Sequence, residues 1–187
     1  IVDKTPFYAE MGGQVGDTGS ILADEVEIKV ENTTKDGNGL YHHHVTVEKG
    51  ELSVGNIVTM KVCKKRRMAI SRNHSTTHLL QKALKMVLGD HVNQSGSYVS
   101  PERLRFDFPC DHKLTAEEIA KLEELINTWI AEKIDVTKEE MAKQKAVEIG
   151  AEHQFIERYP DIVTVYSIGN VSKEICTGPH VENTKLL

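Results

Sequence analysis

Two pairs of residues in the sequence carry side chains that bind a borderline-soft divalent metal. His74 and His78 are four residues apart, near the start of a segment with helical periodicity. Four residues is about one helical turn, so both imidazoles leave the same face and can converge on one ion. Histidines at this spacing also occur as ordinary polar or buried helix residues, so the first pair leaves both interpretations open.

The second pair strengthens the metal interpretation. Cys176 and His180 are also four apart, but Gly178 and Pro179 lie between them, which predicts a turn and not a helix. A turn can aim a thiolate and an imidazole at one point. Three histidines and one cysteine form a donor set that Zn²⁺ favours. We therefore expect a zinc site, with structural histidines as the alternative.

Composition limits the class of protein that holds these residues. The chain has 187 residues, 23 Lys and Arg against 28 Asp and Glu, and no apolar stretch near the roughly 20 residues that cross a bilayer. Three cysteines are too few for a disulfide-stapled secreted domain, which favours a reducing, cytoplasmic setting without membrane contact. Because the chain opens on Ile1, we expect a piece of a longer protein.

Positive charge is concentrated in one segment of an acidic chain. Between Lys61 and Arg72 there are six basic residues and no acidic one. This pattern predicts contact with a polyanion at one place, and a solvated basic loop is the alternative. The candidate nucleic-acid-binding residues are Lys64, Lys65, Arg66, Arg67 and Arg72.

Residues 1–62 have the pattern of short strands and tight turns. Val26, Ile28 and Val30 alternate with charged residues, which is the period of a half-buried strand. The segment from Asp36 to Gly39 is a strong hairpin signal. We expect a small antiparallel β-barrel-like subdomain over 1–62.

Residues 63–187 change to a mixed helical and strand pattern, so the fold class is α+β. An apolar helical stripe ends at Gly89, and Thr115 with Glu118 forms a capping box for a second helix. Thr137 with Glu140 repeats that pattern and predicts a third helix ending near Gly150. Strands are expected over 103–108 and 162–168.

Four ordered motifs resemble the editing region of alanyl-tRNA synthetases. They are TPFYAEMGGQ over 5–14, NHSTTHLL over 73–80, LRFDF over 104–108 and CTGPHV over 176–181. The resemblance covers essentially the whole chain. Freestanding alanyl-tRNA editing proteins share both metal-binding pairs, and threonyl-tRNA synthetase editing domains are more distant relatives.

The resemblance implies roles for individual residues. His74, His78, Cys176 and His180 would be zinc ligands, and Gln14 matches the active-site glutamine of the family. Glu10 lies in the stretch that shapes the pocket. Thr5, Thr76 and Thr77 are candidates for recognising a substrate hydroxyl, with helix-bonded or exposed hydroxyls as the alternative.

The implied activity is removal of serine or glycine from mischarged tRNA(Ala). The implied partners are the tRNA(Ala) acceptor end and the rest of a parent synthetase. Most alanyl enzymes have Cys-Gly-Gly-Thr-His where this chain has Cys-Thr-Gly-Pro-His, which is nearer to the threonyl relatives. Two alternatives stay open: a threonyl-type editing domain, and a non-catalytic tRNA-binding module that zinc holds together.

Overall fold

The computed structural model describes residues 1–154 and 156–187. Over these residues the α-helices are α1 (Lys64–Leu88), α2 (Ala116–Ala131) and α3 (Lys143–Glu148). The strands are β1 (Gly19–Ala23), β2 (Val26–Lys35), β3 (Tyr41–Lys49), β4 (Thr59–Val62), β5 (Gly96–Val99), β6 (Leu104–Asp107), β7 (Val136–Ala142), β8 (Ile162–Ile168) and β9 (Ser172–Ile175). Two short 3₁₀ turns occupy Ile156–Arg158 and Thr184–Leu186.

In the described part of the chain the strands form three sheets, which confirms the α+β class. The first is a four-stranded antiparallel sheet in the order β3-β2-β1-β4. Strands β5 and β6 pair with each other, and β7, β8 and β9 form an antiparallel sheet in that order. Within the described residues the four-stranded sheet is open, with β3 and β4 at its edges, and not a closed barrel.

The chain separates into two compact units. The N-terminal unit contains 1–70 and 97–104, and the C-terminal unit contains 71–96 and 105–187. The division falls inside α1, between Ile70 and Ser71. The change of periodicity in the sequence predicts a boundary after residue 62. Periodicity alone could not assign 97–104 to the first unit, since that assignment depends on contacts between residues distant in sequence.

The N-terminal unit packs one face of its sheet around a small apolar cluster. Its buried members are Phe7, Ile21, Ile28 and Val30. Ile21 of β1 stands opposite Ile28 of β2 in the antiparallel register. The alternation of apolar and charged residues in β2 therefore marks its buried face as predicted.

The C-terminal unit has two apolar clusters. The larger one joins the helical stripe of α1 to α2 and β8, with buried members Leu79, Ala83, Leu84, Val92, Leu122, Trp129 and Ile168. The second packs α3 against β8 and β9, with buried members Ala146, Ala151, Val163, Val165 and Ile175. These clusters fix the positions of α1 and of the chain after β9.

The predicted C-terminal end of α1 and the predicted N-terminal start of α2 are confirmed. α1 ends at Leu88, and Gly89 follows with a φ of 113°, a conformation that favours glycine. Thr115 and Glu118 form both hydrogen bonds of the capping box at the start of α2. The local sequence signals at these two ends agree with the tertiary structure.

The helix predicted from Thr137 and Glu140 is wrong in most of its length. Both residues lie in β7, which pairs with β8 over seven consecutive residues, from Val136 opposite Ile168 to Ala142 opposite Ile162. The helix begins only at Lys143, and its end before Gly150 is confirmed. Pairing with the buried β8 strand outweighs a capping-box pattern that lacks an apolar helical face behind it.

Within the described ranges, no helix combines the length and the apolar composition needed to cross a membrane.

Candidate metal centre

The four predicted metal ligands lie together in the C-terminal unit. One ligand atom from each of His74, His78, Cys176 and His180 can be chosen so that all four are within 4.8 Å of one another. Cys176 Sγ lies 3.3 Å from His74 Nε2 and 3.4 Å from His180 Nε2. Two segments more than 90 residues apart in sequence therefore converge on one point.

Regular elements hold both segments of this cluster. His74 and His78 are one turn apart on α1, and their ring centroids are 5.3 Å apart. Cys176 directly follows β9, and its backbone N–H donates to Thr164 O of β8 at 3.0 Å. The turn at Gly178 folds back so that the Gly178 N–H approaches Cys176 Sγ at 3.5 Å. The sheet thus fixes the thiol, and the turn brings His180 beside it.

The distances in the cluster fit a tetrahedral zinc ion. Zn–S near 2.3 Å and Zn–N near 2.0–2.1 Å put ligand sulfur and nitrogen atoms about 3.5 Å apart in a tetrahedron. The two Sγ to Nε2 distances are close to this value. His78 Nδ1 is buried and has no hydrogen-bond partner among the described residues. The residues present therefore fit Zn²⁺ in donor type and spacing.

Burial sets the protonation state of the cluster. Burial lowers the pKa of His74 and of His78 to about 3, with a smaller contribution at His74 from the charge of His78. It also lowers the pKa of His180, which the charges of His78 and His74 lower further. Burial raises the pKa of the Cys176 thiol to about 12. The imidazoles are therefore neutral, the form that binds a metal, and the thiol must release its proton.

A second layer of residues surrounds the cluster. Ser75 Oγ lies 3.0 Å from His180 Nδ1, and the Tyr166 and His180 ring centroids are 4.3 Å apart. Glu174 Oε2 is 3.5 Å from His78 Nε2, and burial raises the pKa of this carboxyl to about 7. Sequence reasoning missed Ser75 and Glu174 because serine and glutamate at these positions have no distinctive spacing.

A polar cavity of about 260 Å³ lies beside this second layer. Its lining includes Lys82, Lys85, Glu152, Lys173 and Glu174. Lys85 Nζ is 2.6 Å from Glu152 Oε1, so two of these charges pair with each other. Glu174 thus contacts His78 and also lines a space that water can enter.

The predicted pocket residues Thr5, Glu10 and Gln14 lie in the N-terminal unit. Gln14 is 3% exposed and closes a turn in which its backbone N–H donates to Met11 O at 3.0 Å. The exposed Glu10 carboxylate accepts from Asn32 Nδ2 at 2.9 Å. Thr5 Oγ1 is 2.8 Å from His43 Nε2 and accepts from the Phe7 N–H at 3.1 Å. Their roles toward a substrate stay predictions.

Thr76 and Thr77 lie on α1 between the two histidines. The Thr76 hydroxyl donates to Arg72 O at 2.9 Å, and the Thr77 hydroxyl donates to Asn73 O at 2.8 Å. Both hydrogens are thus used within the helix, as the alternative interpretation describes. Each oxygen retains lone pairs that can accept a hydrogen bond from a ligand.

The basic residues lie along the first turns of α1. Lys64, Lys65 and Arg72 are exposed, whereas Arg66 and Arg67 are half-buried. Arg67 pairs with Asp17, whose carboxylate is 1% exposed, and also donates to Pro6 O at 2.8 Å. Arg67 therefore has a structural role that its place in a basic run does not reveal.

Comparison with known families matches two parts of the chain. Residues 1–66 match the model described as tRNA synthetases class II (A). Residues 163–187, which include Cys176 and His180, match the model described as threonyl and alanyl tRNA synthetase second additional domain.

Whole-chain comparison finds alanine–tRNA ligases. The chain is 50% identical over 184 residues to alanine–tRNA ligase 1 of Lachnoclostridium phytofermentans and to the alanine–tRNA ligase of Acetivibrio thermocellus. It is 47% identical over the same length to the enzyme of Thermotoga petrophila. Each match covers 98% of this chain and 21% of the relative, so the chain spans about a fifth of the length of these relatives.

Proposed function

We propose that this chain, a segment homologous to alanine–tRNA ligases, is a zinc-dependent editing hydrolase domain that removes serine or glycine from mischarged tRNA(Ala). The observation that carries the proposal is the convergence of His74, His78, Cys176 and His180 at zinc-ligand spacing. The rest of the parent synthetase is the proposed partner in the same chain.

An aminoacyl ester is already activated, so its hydrolysis mainly needs an aimed water and stabilisation of the developing negative charge. Zinc bound at the cluster supplies a Lewis acid there. Gln14 is the proposed residue that positions the substrate or the attacking water through its amide. Burial holds this side chain in a restricted set of conformations, which supports a positioning role.

Discrimination against alanine needs more than a size filter, because serine is larger than alanine and glycine is smaller. A site that offers a hydrogen bond to a hydroxyl, or room for a water, can accept both and penalise a methyl group. Thr5, Thr76 and Thr77 are the proposed hydroxyl-recognition residues, and Glu10 is proposed to shape the pocket.

The basic residues at the start of α1 are proposed to bind phosphates of the tRNA acceptor end. The first turn of α1 contains no acidic residue, although the helix dipole favours acidic side chains at that end. Cations placed against this preference are better explained by an external anion than by helix stability. Lys64, Lys65 and Arg72 are the residues to test, because substituting Arg67 would also expose the buried Asp17 charge.

Deacylation of charged tRNAs tests the proposal. The chain should release serine from Ser-tRNA(Ala) and glycine from Gly-tRNA(Ala) while sparing Ala-tRNA(Ala). His74→Ala and Cys176→Ala should lose this activity together with bound zinc. Cys63→Ala is the matched control, since Cys63 is an exposed free cysteine of the N-terminal unit, and it should behave as the wild type.

A second function is favoured by the number of ligands. Four protein donors can fill a tetrahedral shell, which is typical of structural zinc sites. In that case chelation would unfold the protein, whereas the zinc-loaded protein would bind tRNA and hydrolyse no charged tRNA. Hydrolysis of Ser-tRNA(Thr) without hydrolysis of Ser-tRNA(Ala) would instead identify a threonyl-type domain.

A further inference from the structure

Ser75 connects the two segments of the metal cluster. It lies on α1 between His74 and His78, and it is fully buried. Its hydroxyl oxygen accepts a hydrogen bond from the Val181 N–H at 3.1 Å and lies 3.0 Å from His180 Nδ1. One buried side chain therefore contacts both the ring of His180 and the backbone that follows it.

This contact can fix the tautomer of His180. A serine hydroxyl has two acceptor lone pairs and one hydrogen. The Val181 N–H occupies one lone pair, so His180 can donate its Nδ1–H to the other. His180 Nε2 then keeps a free lone pair, and this is the atom 3.4 Å from Cys176 Sγ. If the hydroxyl donated to Nδ1 instead, the hydrogen on Nε2 would block metal binding.

The neighbouring hydroxyls on α1 do not share this geometry. Thr76 and Thr77 donate to carbonyl oxygens of their own helix, one turn back. Ser75 is directed to residues 105 and 106 positions away. A contact that spans the chain in this way is specific to the assembly of the cluster and not a general feature of hydroxyls on this helix.

We propose that Ser75 is a positioning residue for the metal centre. Its hydroxyl accepts the Nδ1–H of His180, which holds that ring as an Nε2 ligand. It also attaches the turn that contains His180 to α1. The inference rests on the zinc site of the proposed function. Partners that orient a histidine ligand in this way typically contribute about 10–100-fold to metal affinity.

The first measurement is Zn²⁺ affinity of the whole chain, by competition with a chromophoric chelator. We expect Ser75→Ala to bind Zn²⁺ about 10–100-fold more weakly than the wild type. Ser75→Thr retains the hydroxyl and should recover most of the affinity. Ser71→Ala is the matched control for this metal measurement, because it removes a buried serine hydroxyl from the same helix at a residue proposed to bind neither metal nor substrate, and it should bind as the wild type does.

The second measurement separates orientation of the ring from a general loss of structure. In the zinc-loaded wild type, long-range ¹H–¹⁵N NMR of the imidazoles should show His180 protonated on Nδ1 and bound through Nε2. In the Ser75→Ala variant the protected Nδ1–H signal should be lost while the ring signals of His74 keep their positions. In a His180→Ala background, Ser75→Ala should lower the remaining affinity no further.

The outcomes distinguish this inference from the proposed function. Failure of the wild type to bind Zn²⁺ would remove the metal site and with it both proposals. Wild-type binding with equal affinity in Ser75→Ala, or a zinc-loaded His180 protonated on Nε2, would overturn the role of Ser75 alone. The wild-type tautomer decides the matter even if Ser75→Ala does not fold.

Discussion

Asp17 is a buried carboxylate that depends on one cation. It is 1% exposed, accepts from the Tyr8 N–H at 2.6 Å, and pairs with the guanidinium of Arg67. Removing the cation would leave a negative charge in a site with little water. The segment that contains Gln14 lies between Tyr8 and Asp17. The Asp17–Arg67 ion pair therefore stabilises the segment that contains the candidate catalytic residue.

We predict that Arg67→Ala lowers the free energy of unfolding by about 3 kcal/mol, the lower end for loss of one partner of a buried pair, because the Arg67 side chain is itself 30% exposed. Chemical denaturation followed by circular dichroism measures the change. Lys65→Ala, an exposed cation two residues earlier, should stay within about 0.5 kcal/mol of the wild type. Equal effects of the two substitutions would contradict the structural role of Arg67.

Gly13 combines two constraints beside Gln14. Its φ is 80°, and a Cβ built on it would lie 2.4 Å from the backbone oxygen of Ser97. Gly12 has a φ of 60° but no atom within 4 Å of its Cβ position. Comparing alanine substitutions at Gly12 and Gly13 therefore separates the cost of backbone strain from the cost of a steric clash.

Accordingly, Gly12→Ala should cost about 1–2 kcal/mol for the left-handed conformation alone. Gly13→Ala should cost more, because it must also move the backbone of Ser97. Denaturation midpoints measure the difference, and deacylation rates show whether Gln14 has moved. A smaller effect at Gly13 than at Gly12 would mean that the close approach to Ser97 is not maintained in solution.

The four candidate metal ligands could be picked out from the sequence, whereas the residues that support the candidate site could not. Histidine and cysteine are typical ligands of zinc, so two pairs of them at four-residue spacing predict a metal site. Ser75 and Asp17 act through contacts 105 and 50 residues away, and no local pattern encodes those distances. The sequence predicts Arg67 as part of a tRNA-binding run, because local charge does not show which cation is already paired.

Among the elements, α2 has the clearest link between local sequence and stability. Thr115 accepts from the Glu118 N–H at 3.2 Å, and the Glu118 carboxylate accepts from the Thr115 N–H at 2.8 Å. The helix then buries Leu122 and Trp129, seven residues apart on one face. The cap therefore anchors an element that supplies two members of the larger apolar cluster.

Thr115→Ala should lower the free energy of unfolding by about 1 kcal/mol, because the Glu118 N–H at the helix start loses its side-chain acceptor. Thr128→Ala, on the same helix, removes an exposed hydroxyl that donates to Glu124 O at 2.8 Å. Because alanine is the better helix former, this control should be neutral or slightly stabilising. Urea denaturation of both variants tests the contrast, and a larger loss at Thr128 would contradict it.

Strand β7 shows where local signals fail. The segment VTKEEMA carries a capping-box pattern and charged residues that suit an exposed helix. It has no apolar stripe, however, and only Val136 and Met141, near its two ends, are half-buried. Because β8 is a strongly apolar strand with an open neighbouring position, pairing with it decides the conformation. The paired residues lie 20 to 32 positions further along the chain.

At the scale of the whole chain, the candidate metal cluster lies in one unit only. All four ligands lie in the C-terminal unit, whereas Gln14, Glu10 and Thr5 lie in the N-terminal unit. Each unit has its own buried apolar residues. Loss of zinc should therefore act first on the C-terminal unit, and this difference can be measured without an assay of activity.

Hydrogen exchange with and without a zinc chelator tests this expectation. Removing zinc should speed exchange at the Val181 N–H, which bonds to Ser75 Oγ, and at the Cys176 N–H, which bonds to Thr164 O. In the N-terminal unit, the Val15 N–H, bonded to Val99 O, should keep its protection. At zinc concentrations 1,000 times the dissociation constant, binding adds about 4 kcal/mol to stability, so the change should be large and zinc should reverse it. Equal deprotection of both units would show that they unfold as one cooperative body, and no change at Val181 would show that zinc does not hold the turn of His180.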